Sequence, residues 1–380
     1  MKIQSRLPET GTSIFTVMSR MALEHGAINL SQGFPDFPVS PSLVELIHTK
    51  MKEGHNQYAP MPGTPLLRSA IANVVLSSFQ RVVSPETDIT ITSGATEGIF
   101  ATIAALVHPE DEVIIFDPSY DSYAPSVILN GGKPVHLNLH PPDFKIDWAK
   151  VKSKITPRTK MIMINTPHNP SGAVLTERDL MTLQEIAIQN EIIVLSDEVY
   201  ERIIFHNEVH QSVLRYPALA EQSVAVFSFG KTFHATGWKT GYTVAPEYLT
   251  TEIRKAHQFV TFSVNTPVQL ALAEYLTHPE NYKHLGGFFQ KKRDFFLDLI
   301  KGSSFRPLPC HGSYFQVVSY EGISGKSDID MATWLTKEHK VASIPVSVFY
   351  KDKSDHHLLR FCFAKSDETL ERAGEILRKF

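Results

Sequence analysis

Between residues 88 and 246 the chain is organised around short, nearly uninterrupted apolar runs. DITITSG (88–94), EVIIFDP (112–118), KPVHLNL (133–139), KMIMINTP (160–167), EIIVLSDEVY (191–200), VAVFSFG (224–230) and GYTVAP (241–246) are strand-like, and several lack polar alternation. Successive side chains of a strand point to opposite faces of its sheet, so a run without alternation fits a strand covered on both sides. Between the runs, TPLLRSAIANVVLSSF (64–79) and ATEGIFATIAALV (95–107) carry apolar residues at helical spacing. The alternation predicts an α/β sheet with helices on both faces.

After about residue 275 the texture changes. One long polar helix is expected through NYKHLGGFFQKKRDFFLDLI (281–300), followed by GSYFQVVSY, a helix around MATWLTKEHK, and HLLRFCFA. These segments form a separate α+β lobe. SQGFPDFPVSP (31–41) is too rich in turn residues for a core element and reads as an arm or active-site loop. The expected division is an N-terminal arm with part of the small domain (1–44), a large domain (45–275) and a C-terminal small domain (276–380).

A chain of 380 residues exceeds what one core serves, which agrees with two lobes. The formal net charge of −3 gives no footprint for nucleic acid or an anionic membrane, which leaves small molecules and further copies of the chain as partners. MKIQSRLPETGTSIF has no apolar signal core, and no later stretch is long enough to span a bilayer, so a cytoplasmic location is expected. Cys310 and Cys362 lack metal-site spacing and read as buried free thiols.

The most informative segment is SFGKTFHATGWKTGY (228–242), which places Lys231 just after a buried strand. A partly desolvated lysine has a lowered pKa, which suits an amine that forms a Schiff base. A phosphate-binding loop of the GxxxxGK type is excluded, because Ala225 stands where its first glycine belongs. By itself Lys231 also reads as a solvated loop lysine. Asp197 closes the apolar run EIIVLSD, where a carboxylate is costly unless it meets a cation or hydrogen-bond donors. The protonated pyridine nitrogen of pyridoxal 5'-phosphate (PLP) is such a cation, and Tyr200 three residues on suits the phenolic oxygen of that cofactor. A turn cap is the plainer reading of Asp197. NTPHNPSG (165–172) turns sharply at a strand end, which offers Asn169 to a ligand or merely to the turn. Gly94, Ala95 and Thr96 in TSGATEG open a helix whose free N–H groups suit a phosphate.

Taken together and in order, SQGFPDF, NQYAPMPG, SGATEG, DPSYDSY, NTPHNPSG, SDEVY, SFGKTFHATGWKTGY and LLRFCFA resemble the motif series of the class I, fold-type I aminotransferases over nearly the whole chain. The resemblance is closest to the methionine and kynurenine aminotransferases. It implies a large, mainly parallel seven-stranded sheet domain with helices on both faces plus a smaller α+β domain. It further implies PLP as cofactor and a homodimer with shared sites. By position, Lys231 is the Schiff-base lysine, Asp197 meets the pyridinium, and Tyr200 and Asn169 meet the phenolic oxygen. Gly94, Ala95, Thr96, Ser228 and Lys239 surround the phosphate, with Lys239 standing where many relatives have arginine. Tyr120 stacks on the ring, Arg360 forks onto the substrate's α-carboxylate, and Gly33 belongs to the loop that closes over it. Tyr58 reaches the phosphate of the neighbouring subunit.

The implied reaction is ping-pong transfer of an amino group to a 2-oxo acid, with Lys231 as proton carrier. Methionine and aromatic amino acids, kynurenine included, are the expected donors. TFSVNTP (261–267), opposite the substrate side chain in the resembling families, offers Phe262 and no cation, and Ile14, Phe15, Tyr58, Tyr123 and Phe349 complete an apolar lining. Cysteine-conjugate β-elimination at the same site and a non-catalytic PLP-binding regulatory module are the alternatives. Among the 17 histidines, His206 and His210 in HNEVH match no zinc-helix spacing, and His168 and His234 read as packing or lining groups.

Overall fold

A computed structural model describes residues 3–380 of the chain. The seven apolar runs form one sheet from β1 (Ile89–Thr92), β2 (Glu112–Asp117), β3 (Lys133–Asn138), β4 (Thr159–Asn165), β5 (Ile193–Asp197), β6 (Ser223–Ser228) and β7 (Gly241–Val244). Their order across it is β1-β7-β6-β5-β4-β2-β3. All neighbours run parallel except β7, which is antiparallel to both β6 and β1. This is the fold-type I arrangement.

Successive residues of the central strands enter different cores. Val113, Ile115, Met161, Met163 and Leu195 belong to one apolar cluster, and Ile114, Phe116, Ile162, Ile164 and Val194 to the other. Burial on both faces accounts for the missing alternation, and each aliphatic side chain so buried contributes about 1.5–3 kcal/mol. The edge strand β3 is mostly half-buried.

A second, antiparallel sheet has the order β10-β11-β9-β8, formed by β8 (Arg306–Pro307), β9 (Phe315–Ser319), β10 (Ile344–Pro345) and β11 (Leu358–Cys362). The N-terminal segment joins this part of the chain, because Ile28–Asn29 pairs in parallel with Val341–Ala342. A helix at Ile14–Glu24 was not expected from the sequence; it starts after Ser13, whose side chain makes no cap bond. The long helix expected from residue 281 begins instead at Leu285. The preceding residues close off the helix Thr266–Tyr275: Pro279–Asn281 form a 3-10 turn, and Asn281 Nδ2 donates to the Tyr275 carbonyl at 2.9 Å. Both cysteines are buried and free. Among the described residues, no helix is long and apolar enough to cross a membrane.

Candidate active site

Asn165, Asp197 and Ser228 are the last residues of β4, β5 and β6, so the parallel strands deliver polar side chains to one edge of the large sheet. Ligands of open α/β sheets bind at that edge. A cavity of about 270 Å³ lies there, and residues of the 31–40 loop and of the second sheet complete its wall.

One end of the cavity is built for an anion. Gly94, Ala95 and Thr96 open the helix Gly94–Leu106 and line the wall with Ser228 and Lys239. The first N–H groups of a helix have no intrahelical acceptor and carry partial positive charge. Gly94 has φ +73°, a conformation that calls for glycine, and Lys239 Nζ packs against it, 3.2 Å from where a Cβ would stand. Ser93 N–H donates to Glu97 Oε2 at 3.0 Å and fixes the helix entry. Lys239 has no carboxylate partner among the described residues.

In the middle, Asp197 is buried, and burial is the main reason its carboxyl is pushed up to about 6. Tyr123 opposes that rise by donating to Oδ2 at 2.6 Å, as does the Val199 N–H at Oδ1. Asn165 Nδ2 donates to the Asp197 carbonyl at 2.9 Å, while its Oδ1 accepts from the Asn169 N–H at 2.8 Å. One amide thus ties two strand ends together. Tyr120 meets Tyr123 edge-on at 5.7 Å, and burial holds the Tyr200 phenol far above its ordinary pKa.

Lys231 follows β6 on the short helical turn Phe229–Thr232. Its amine donates to Tyr314 Oη at 2.9 Å and to the Gly33 carbonyl at 3.2 Å. Desolvation lowers its pKa to about 8, against the opposing pull of Cys362 and Asp197.

Arg360, also in the wall, is fully buried, with its guanidinium carbon 3.9 Å from the Phe315 ring centroid. Nη1 donates to Asn169 Oδ1 at 2.8 Å and Nη2 to the Ser31 carbonyl at 2.9 Å. Nε is buried with no partner, and no carboxylate pairs with this cation among the described residues. Burial pulls the guanidinium down to about 10. A buried guanidinium with an unspent donor is a ready seat for a carboxylate.

Of the residues singled out from the sequence, Phe15, Gly33, Gly94, Ala95, Thr96, Tyr120, Tyr123, Asn169, Asp197, Tyr200, Ser228, Lys231, Lys239 and Arg360 line this one cavity. Tyr123 had been expected in an apolar substrate lining; its hydroxyl is bonded to Asp197. Phe349 sits outside the wall, 5.4 Å from the Arg360 guanidinium carbon and 5.9 Å from the Phe15 ring. Tyr58 and Phe262 are also outside it and pack edge-on at 5.5 Å, with Tyr58 82% exposed. Asn165, Tyr314 and Phe315 escaped notice, the two aromatics because GSYF reads as an ordinary core strand.

Among the described residues, no histidine lines this wall. His168 Nδ1 lies 2.7 Å from Ser171 Oγ, and burial lowers both His168 and His234 to about 4. His210 Nε2 bonds Glu198 Oε2 at 2.7 Å, and His206 Nε2 accepts from Arg293.

Residues 25–377 match the family Aminotransferase class I and II. The chain is 50% identical over 377 residues to the methionine aminotransferase of Escherichia coli, covering 99% of this chain and 98% of that protein. It is 32% identical over 408 residues to mouse kynurenine–oxoglutarate transaminase 3, covering 99% and 90%. A crystal structure from Escherichia coli, described with a methionine aminotransferase function, superposes with a TM-score of 0.98 at 49% identity and full coverage of both chains.

Proposed function

The chain belongs to the class I and II aminotransferases, and we propose that this aminotransferase uses PLP to carry the amino group of methionine or an aromatic amino acid, kynurenine included, to a 2-oxo acid. The observation that carries the reading is the coexistence, in one cavity, of an amine lowered to about 8, a buried carboxylate and an unpaired buried guanidinium.

The donor set fits PLP. The helix start at Gly94–Thr96 with Ser228 and Lys239 would hold its phosphate, Asp197 its ring nitrogen, Tyr200 and Asn169 its phenolic oxygen, and Tyr120 would cover its face. When bound, PLP withdraws electrons from the bonds of the substrate's α-carbon. Lys231 supplies the amine that anchors the cofactor. Once freed, its Nζ would take the proton from the substrate's Cα as general base and, as the conjugate acid, pass it on to the cofactor's C4', a task for which a pKa near the working pH is suited. Arg360 grips the α-carboxylate and so fixes which Cα bond faces Lys231. Asp197, once opposite a cation, regains the partner that its burial demands.

We take the enzyme to be a cytoplasmic homodimer, with the domain division 1–44, 45–275 and 276–380 kept as part of the proposal. The exposed Tyr58 and Phe262 stand on segments joined by Ser263 Oγ donating to the Ala59 carbonyl, a surface that suits completion of a neighbour's site. Loss of activity on dilution to monomers tests that sharing. The main test is a donor screen with several 2-oxo acids. We expect higher kcat/KM for methionine, phenylalanine or kynurenine than for aspartate, because the described wall offers no lysine or arginine besides Arg360, Lys231 and Lys239. Aspartate as the best donor would reject the substrate class and leave the PLP reading standing.

A further inference from the structure

We propose that Tyr314 is the positioning residue for Lys231, its phenolic oxygen holding the free amine so that the amine's lone pair stays available to the substrate. The inference rests on the reading of Lys231 as the reactive amine.

The direction of each hydrogen bond follows from counting protons. A phenol has one proton, and Tyr314 Oη lies 2.6 Å from the Gly33 carbonyl, which can only accept. That proton is therefore spent on Gly33. Lys231 Nζ, 2.9 Å from the same oxygen, must donate to a Tyr314 lone pair. Its second donation goes to the Gly33 carbonyl at 3.2 Å. A neutral primary amine has two N–H bonds, and both are now committed. What remains is the lone pair, directed away from Tyr314 and Gly33.

The hydroxyl that does this holding is itself fixed. Tyr314 is fully buried, with the rings of Tyr200 at 5.0 Å and Phe315 at 4.9 Å packed edge-on against it. The residue before it, Ser313, has φ +64°, a conformation few non-glycine residues adopt, and is held there by its N–H donating to the Ile203 carbonyl. The acceptor carbonyl is fixed as well, since its loop is tied on both sides of Gly33 by Arg360 to Ser31 and by Lys365 Nζ to the Phe34 carbonyl at 2.8 Å. A core tyrosine needs one partner; this one serves two groups of the cavity at once.

Burial lowers the proton affinity of Lys231 most, and the charged and titratable groups around it are Cys362 and Arg360 on β11, Asp197 on β5, Lys239 before β7 and Tyr200, whose ring centroid is 5.8 Å away. Tyr314 adds a neutral acceptor, which favours the ammonium form.

The test is Tyr314→Phe, which keeps the ring and deletes the oxygen. In the apoenzyme, the pH midpoint for acetylation of Lys231, read on its peptide by mass spectrometry, should fall by roughly half a unit to one unit, as expected when one acceptor is lost. In the PLP-loaded enzyme, kcat should fall about 10-fold with KM within about 3-fold, and the kinetic isotope effect on an α-deuterated donor should rise, because a misdirected lone pair slows proton transfer. Tyr350→Phe, which deletes another buried hydroxyl bonded to the Leu139 carbonyl at 2.8 Å, should leave both readouts at wild-type values. A wild-type midpoint and isotope effect in Tyr314→Phe would overturn the inference, as would equal changes in Tyr350→Phe. If Tyr314→Phe does not accumulate, Tyr314→Met carries the same two readouts. Turnover by Lys231→Ala would instead reject the lysine reading itself, which the apoenzyme titration does not depend on.

Discussion

Tyr123 donates to Asp197 Oδ2 over 2.6 Å, with both side chains buried at the carboxyl edge of the large sheet. Burial drives the carboxyl up to about 6 and the phenol holds it back. Tyr123→Phe removes that restraint, so Asp197 should keep its proton to a higher pH. The acidic limb of the pH profile of kcat/KM should move up by about one unit. A profile superimposable on that of the wild type would show that the bond does not govern the carboxylate.

Asp197→Asn should separate stability from activity. The folded pKa of about 6 lies above the ordinary 3.8, so the folded state binds the proton more tightly than the unfolded state. Stability from this group is therefore fully present below pH ~3.8 and is lost as pH rises through about 6; a difference of that size between folded and unfolded chain is worth about 3 kcal/mol. An amide never ionises. The Asp197→Asn apoenzyme should accordingly melt higher than wild-type apoenzyme near pH 8, with the advantage shrinking as pH falls towards 4. With PLP present the same variant should lose about 10²-fold or more in kcat, because an amide does not hold the ring nitrogen protonated. Melting curves with and without PLP, together with steady-state rates, check both halves.

Lys231→Ala should retain the fold and lose both the covalent hold on PLP and nearly all turnover. Borohydride reduction followed by mass spectrometry should tag Lys231 in the wild type and nothing in the variant. The removed amine is lowered to about 8, so the wild type carries a buried ammonium at neutral pH. By the same linkage, the variant apoenzyme should gain stability relative to wild type below about pH 8, an advantage that fades as pH rises towards 10.5.

Arg360→Leu should raise KM for amino acids and for 2-oxo acids alike, by about 10- to 100-fold, while the absorbance of bound PLP stays unchanged. Arg360 bonds Asn169 and Ser31 from the second sheet, whereas Lys239 packs against the helix start at Gly94. Loss of PLP in this variant would assign the guanidinium to the cofactor instead of the substrate.

The large sheet was legible because its strands feed two cores, which leaves long apolar runs with no competing period. Asp197, Lys231 and Arg360 were legible for a related reason: each is a charge beside a stretch that has no use for one. Tyr314 and Phe315 were not, since an aromatic bonded to a lysine and an aromatic in a core strand have the same neighbours in sequence. The Tyr123 bond was hidden too, because it depends on where the segment after β2 meets the end of β5. The helix Ile14–Glu24 has Ser13 at its N-cap, a signal that went unread, and Asn281 turned out to belong to the end of one helix and not the start of the next.

The pairing of β1 with β7 bears on how the polypeptide emerges from the ribosome. β1 hydrogen-bonds to no other strand of its sheet, with Ile89 opposite Val244 and Thr92 opposite Gly241. All four of its residues are buried in the finished protein. A nascent chain that has completed the parallel strands β2 to β6 still carries β1 as an unpaired apolar edge until Gly241–Val244 has been made. The helix start at Gly94, two residues beyond β1, waits on the same event. Chains terminated before residue 241 should therefore be chaperone substrates with a formed parallel sheet and no seat for a phosphate, and the anion-binding end of the cavity should be the last part of the large sheet to acquire its final shape.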